Sequence, residues 1–274
     1  MSERENANSV SNMWADYEGG YRQALGDAAF LAWRASGARQ KALNIMHVCR
    51  GLSVSSVLEI GCGTGAILQE LASLRFAKEY VASDVSATAI EFVERSCRRF
   101  LSGAYVSSAN SQPFPDGRFS VAVLSHVIEH LEDPASAVRE AARVAEYVVI
   151  EVPTEKVFSN LVRTRLFGKP FSSAAEAGHL QFWTPGSIAR FLEETCEKEI
   201  VARHTDLFSR QEEFHGREGV RKAKPLIKEA LKSLLPARIY AQLLTTHATF
   251  LCQTRPYDAK SPRLGKSDAA RERR

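Results

Sequence analysis

The stretch Val57-Leu58-Glu59-Ile60-Gly61-Cys62-Gly63-Thr64-Gly65 constrains this chain more than any other. An apolar run ends in an acid and is followed by three glycines at alternate positions. The pattern predicts a strand, a tight turn and a helix. Val54, Val57, Leu58 and Ile60 have the β-branched and apolar character of a strand buried on both faces, as in a parallel sheet. Ala66 to Leu71 continues at helical spacing, so the glycines fall where a strand hands over to a helix N-terminus. Without Cβ atoms this backbone can take positive φ and admit a small molecule closely, while free N–H groups and the positive helix end favour an anionic group.

Several ligands fit such a turn. Gly61-x-Gly63-x-x-Ala66 satisfies the dinucleotide fingerprint G-x-G-x-x-G/A, which keeps a nicotinamide or flavin domain open. Glu59 weighs against it, since a carboxylate there repels a pyrophosphate yet can accept hydrogen bonds near the ammonium of a methionine-like tail. Downstream, Tyr80-Val81-Ala82-Ser83-Asp84-Val85-Ser86 reads as a second strand ending in an acid, and a carboxylate suits two vicinal hydroxyls because both its oxygens accept.

Glu59-x-Gly61-x-Gly63-x-Gly65 with Asp84 resembles motifs I and II of the class I S-adenosylmethionine-dependent methyltransferases. Within that class the chain is most similar to the small-molecule, ubiquinone-biosynthesis-like group (methyltransferase type 11). The resemblance covers residues 54 to 153 and, more weakly, 179 to 193. It implies a Rossmann-like α/β fold, a seven-stranded mostly parallel sheet with helices on both faces, an N-terminal helical cap and a C-terminal helical insertion. It further implies S-adenosyl-L-methionine as cofactor, held by Glu59, Gly61, Cys62, Gly63 and Gly65, by Asp84 and Val85 at the ribose, by Ala109 and Asn110 at the adenine, and by Ser125. Many relatives carry an acid where this chain has Ser108, so an uncharged acceptor, Ser108 or Asn110, is expected at the adenine amino group.

Along the chain, residues 1 to 12 are polar, and helices are expected over 21 to 35 and 38 to 50, after a break at Glu18-Gly19-Gly20. Trp14, Tyr17 and Tyr21 are candidate lid residues. Ser86 is expected to cap a helix from Ala87 to Arg98. Strands are expected at 104 to 107, 121 to 124 and 147 to 152, the last stopped by Pro153. Asp133-Pro134 reads as an N-cap followed by a proline at the first helical position, and Thr184-Pro185 repeats the pattern. Thr154 is expected to open a helix to Phe167. Strands at 199 to 202 and 249 to 253 flank a basic helical region, 217 to 235, interrupted near Pro225. The expected organisation is thus a helical lid region (1–50), a catalytic domain (51–255) with acceptor-side insertions (154–183 and 206–246), and a disordered basic tail (256–274).

Chemistry belongs near Ser125-His126-Val127-Ile128-Glu129-His130, after the fourth strand, because ligands of open α/β sheets bind outside the carboxyl ends of the strands. Methyl transfer from a sulfonium is an in-line displacement that needs positioning more than proton transfer. A hydroxyl acceptor must also lose a proton, and neutral imidazole suits that task. His130 matches the family position that approaches the acceptor, with His126 nearer the sulfonium, and both are catalytic candidates. If this segment were helical the two would share a face. His179 is expected to shape the pocket. No H-E-x-x-H motif or acidic trio is present, so no metal site is expected.

Composition narrows the classes. A formal charge of +4 and a pI near 8.8 are only mildly basic, and neither D/N-P-P-Y/F nor a Pro-Cys nucleophile follows the fourth strand, which argues against nucleic acid as acceptor. The five cysteines form no C-x-x-C pair, consistent with a reducing cytoplasm. No transmembrane segment and no signal peptide are expected. The expected function is methyl transfer, at oxygen, to a small or medium-sized acceptor. A nicotinamide oxidoreductase and a cofactor-binding protein without turnover are the alternatives, and the oligomeric state is not fixed.

Overall fold

Seven strands form one sheet in the order β3-β2-β1-β4-β5-β7-β6. A computed structural model describes residues 17–154, 165, 178–196, 199–206, 223–236, 239 and 246–254. The strands are β1 (Ser56–Ile60), β2 (Glu79–Asp84), β3 (Leu101–Val106), β4 (Phe119–Ser125), β5 (Ala145–Thr154), β6 (Ile200–Asp206) and β7 (Thr246–Gln253). Neighbours pair in parallel except β7, which runs antiparallel to both β5 and β6. The helices are α1 (Tyr17–Ala24), α2 (Ala28–Val48), α3 (Ala66–Ser73), α4 (Ala87–Ser96), α5 (Pro134–Val144), α6 (Pro185–Cys196) and α7 (Ala223–Leu234), with one 3-10 turn at Ile128–His130.

Strand alternation divides the core into two layers. On one face Leu58, Leu124, Val148, Ile150 and Phe250 pack with Val138 and Ala141 of α5 and Ile188 and Leu192 of α6. On the other, Val57, Val121, Val123, Val149 and Leu251 pack with Ala42 and Ile45 of α2, Leu68 and Leu71 of α3 and Val93 of α4. Both faces are covered, which is why the central strands read as unbroken apolar runs. Every residue of β1 is buried.

The helix starts follow their caps. Ser86 Oγ accepts from Ala89 N at 3.1 Å, and Asp133 Oδ1 accepts from Ser136 N at 3.0 Å with Pro134 at the first helical position. Thr184 Oγ1 accepts from Ser187 N at 3.0 Å. Such caps stabilise a helix by about 1 kcal/mol each.

Four expectations are corrected. Glu18-Gly19-Gly20 lies within α1, and the break between the first two helices falls at Leu25 to Asp27, not at residues 36 and 37, because Asp27 caps α2 by accepting from Ala29 N at 2.8 Å. The buried stripe of Ala38, Ala42 and Ile45 carries α2 straight through Gly37 despite that residue's low helix propensity. Pro153 does not stop β5, which continues to Thr154. The carbonyl of Glu151 faces β4, where it accepts from His126 N at 2.9 Å, and Pro153 presents the same edge beyond the end of β4, where its missing N–H leaves no ladder bond unmade. Pro225 stands in the first turn of α7, which begins at Ala223, and the preceding part of the expected helical region, 217 to 222, lies outside the described residues. Thr154 is the end of a strand, its hydroxyl 2.7 Å from that of Thr246. The helix expected after it, Trp14, the polar start and the basic tail lie outside the described residues.

Candidate active site

The glycine turn is fastened to the end of β2. Gly61 N and Cys62 N both donate to the carbonyl of Ser83, at 2.8 and 3.0 Å, and Gly63 N donates to Asp84 Oδ2 at 2.8 Å. Gly61 and Gly63 take φ of 73° and 55°, a region costing about 1–2 kcal/mol for a residue with a Cβ. A Cβ on Gly61 would also meet Val127 Cγ2 at 2.5 Å, and one on Gly63 would meet the Tyr21 hydroxyl at 2.6 Å. The turn is therefore bare because α1 and the segment after β4 close on it from opposite sides.

Asp84 is 5% exposed, and Ser86 N donates to its Oδ1 at 3.0 Å. Two backbone amides thus fix the plane of the carboxylate and leave each oxygen a further lone pair. Burial raises the carboxyl above its usual range, opposed by those amides and by Arg34.

Beside the turn lies a small pocket, open to solvent, lined among others by Arg34, Lys41, Glu59, Cys62, Thr64 and Ser125. Alternation in β1 and β4 turns Glu59 and Ser125 to the face covered by α2, and Arg34, Ala38 and Lys41 follow one another at helical intervals on α2. Burial pushes the Glu59 carboxyl up to about 8, against the pull of Arg34, a backbone amide of Leu68 and Lys41. Among the described residues, Glu59 Oε2, Thr64 Oγ1 and Ser125 Oγ are buried without a hydrogen-bond partner. Unmet buried polar atoms cost about 1–3 kcal/mol each. Here they converge on one cavity with two cations and one carboxyl, the complement of a zwitterionic amino acid.

Val85 follows Asp84 and Val106 pairs with it from β3, and both expose apolar side chains, at 56% and 57%. Ala109 and Asn110, in the loop after β3, are partly buried. Asn110 Nδ2 donates to Asp133 O at 3.4 Å, and Ser108 Oγ accepts from Asn110 N at 3.3 Å. Ser108 is thus engaged with its own loop.

After β4 the two candidate histidines separate. His126 precedes the 3-10 turn with φ of 58°, and His130 ends that turn, so no shared helical face exists. His130 Nδ1 lies 3.3 Å from the carbonyl of Gly178, which it serves as donor, leaving the lone pair on Nε2. Burial, with His179 second, pulls His130 down to about 4. His179 packs edge-on at 4.7 Å and Tyr17 at 6.2 Å. His126 instead turns into the sheet. Its Nδ1 is 3.3 Å from Glu129 Oε1, its Nε2 is 3.0 Å from His247 Nδ1, and burial holds it well below the ordinary imidazole range.

Sequence reasoning missed Arg34, Lys41, Glu151 and His247. A basic pair seven residues apart on an otherwise apolar helical stripe was a signal for the first two. Glu151 within an apolar run and His247 in a strand alternating with threonine were weaker signals, because alternation alone reads as a solvent-facing edge.

Three comparisons bear on this arrangement. The profile of a family described as "Methyltransferase domain" matches residues 28–195. Two Mycobacterium tuberculosis proteins, from strains CDC 1551 and H37Rv, each named "probable S-adenosylmethionine-dependent methyltransferase", are 36% identical over 108 residues. That match covers 38% of this chain and 37% of theirs, so the chain spans about a third of the length of these relatives. Among solved structures, geranyl diphosphate C-methyltransferase from Streptomyces coelicolor, complexed with Mg2+, geranyl diphosphate and S-adenosyl-L-homocysteine, aligns with a TM-score of 0.55 at 14% identity, over 79% of this chain and 78% of that one. A SAM-dependent methyltransferase of Thermotoga maritima aligns with a TM-score of 0.51 at 17% identity, over 82% and 92%. At such identities the solved structures speak for the fold.

Proposed function

The chain belongs to the methyltransferase-domain family, and from that premise we propose that it transfers the methyl group of S-adenosyl-L-methionine to an oxygen of a small or medium-sized acceptor. One observation carries the reading: the cavity beside the glycine turn offers Arg34, Lys41 and the unpartnered oxygens of Glu59, Thr64 and Ser125 to a ligand that must bear both a carboxylate and an ammonium. A methionine tail is such a ligand. A pyrophosphate brings no ammonium to the unpartnered oxygens of Glu59, Thr64 and Ser125, and this weighs against the nicotinamide alternative.

In this reading Glu59, Thr64 and Ser125 hold the ammonium end while Arg34 and Lys41 attract the carboxylate. Asp84, its plane already set by Gly63 and Ser86, accepts from the ribose hydroxyls. Val85, Ala109 and Asn110 border the adenine. The bound cofactor supplies an electrophilic methyl on a positively charged sulfur. The protein aligns the acceptor with it and keeps water out, and alignment alone can supply much of the rate. His130, with Nε2 unprotonated, is the group that would take the acceptor proton. A base brought down to about 4 is weak, which favours an acidic acceptor oxygen such as a phenol over an aliphatic alcohol.

The acceptor side is assigned to a small molecule rather than nucleic acid or lipid bilayer. No helix among the described residues is long and apolar enough to cross a membrane. The lid role of residues 1–50 and a cytoplasmic setting belong to the same proposal. Calorimetry with S-adenosyl-L-homocysteine and with NADH tests it. Tight binding of the first and none of the second is expected, and preference for NADH would overturn the assignment. A labelled methyl donor that yields no product over a broad acceptor panel, despite tight cofactor binding, would reduce it to binding alone.

A further inference from the structure

His126, Glu151 and His247 come from the ends of three different strands and meet in the sheet interior. His126 follows β4, Glu151 lies near the end of β5, and His247 opens β7, in register with Pro153. Glu151 and His247 are fully buried, and the His126 side chain is 16% exposed. Alternation puts Glu151, Thr249 and His247 on the face that also carries Ser125 and Glu59, beneath α2.

The donor atoms describe a triangle. His126 Nε2 is 3.0 Å from His247 Nδ1, His247 Nδ1 is 3.3 Å from Glu151 Oε1, and the third edge is 3.9 Å. A point equidistant from all three lies about 2.0 Å from each, which is the length of a zinc–nitrogen or zinc–carboxylate bond. Around the triangle, Thr249 Oγ1 donates to Glu151 Oε2 at 3.2 Å, the kind of outer contact that fixes a ligating carboxylate, and Glu129 Oε1 stands 3.3 Å from the other ring nitrogen of His126. His126 reaches this position from a left-handed backbone, φ 58°, a region in which histidine is one of the more tolerated side chains.

We propose that His126, Glu151 and His247 form a binding site for one divalent first-row transition ion. Two imidazoles and one carboxylate suit Zn2+, Fe2+ or Co2+ better than Mg2+, which prefers oxygen ligands and retains water. The site is independent of the methyltransferase assignment, although Ser125, which lines the cofactor cavity, is the residue next to His126.

The test uses the full chain, treated with a chelator and titrated with Co2+ and Zn2+ without cofactor. One Co2+ per chain is expected, with visible d–d absorption that Zn2+ displaces. Glu151→Gln and His247→Gln should each weaken Co2+ at least about 100-fold, and Glu129→Gln, which acts through His126, about 10–100-fold. Cooperative thermal unfolding and S-adenosyl-L-homocysteine affinity, read on the same samples, separate loss of the ion from loss of the fold and from failure of the cofactor reading. The proposal is overturned if the wild-type chain takes up neither ion stoichiometrically, a result that needs no variant. It is equally overturned if folded His247→Gln binds Co2+ as tightly as wild type.

Discussion

The two halves of the sheet build their polar sites in different ways. On the side of β1 and β2, the glycine turn and Asp84 are joined by backbone amides over 21 residues, and each group sits beside the strand end that presents it. On the side of β4, β5 and β7, His126 and His247 are 121 residues apart and touch only through side chains inside the sheet. The first half is specified by local chain geometry. The second exists only when the antiparallel β7 has docked beside β5.

The sharpest way to break this contrast is Asp84→Ala. If the carboxylate grips a ribose, losing two charge-assisted hydrogen bonds should weaken S-adenosyl-L-homocysteine by about 100-fold or more, measured by calorimetry. Unchanged affinity would remove Asp84 from the site. His130→Ala probes the other half. Turnover should fall about 10–100-fold, the lower part of the range for a general base because this imidazole is weak, while cofactor affinity stays within about twofold. Full activity would leave His130 with a purely structural part.

A smaller effect, about 10-fold in cofactor affinity, is expected for Glu59→Gln, because one charged hydrogen bond is lost. Its stability should move the opposite way. A carboxyl raised to about 8 in the folded chain binds its proton more tightly there than when unfolded at 4.5. Its contribution is then fully present below about 4.5 and declines as pH rises towards 8. The wild type should lose stability over that window relative to Glu59→Gln, as read by thermal melts at stepped pH. The subtlest signature is proton release. At pH 7 an ammonium arriving beside Glu59 should ionise it, so the binding enthalpy should vary with the ionisation heat of the buffer. No variation would mean that Glu59 and the ligand's amine do not meet.

This division also explains what could be foreseen from the chain. The glycine turn, the capped helices at Ser86, Asp133 and Thr184 and the central strands were legible because each rests on a spacing within about ten residues. Arg34 and Lys41 carried a local signal in their seven-residue spacing, but which side of the sheet they face depends on how α2 lies across it. Glu151 and His247 looked like the polar positions of half-exposed strands. They are interior because helices cover both faces, a property of the whole architecture. The break expected at Gly37 failed for the same reason, as packing overrode propensity.

Ser86 has a wider reach than its capping role suggests. Its amide steadies Asp84, its oxygen caps α4, and its hydroxyl proton goes to Glu18 of α1, which also accepts from Thr88. Those hydroxyl contacts, Thr88 first and Ser86 next, bring Glu18 down to about 2, so ordinary acidification does not unfasten it. One serine thereby ties the first helix of the chain to the loop that carries Asp84 and to the start of α4.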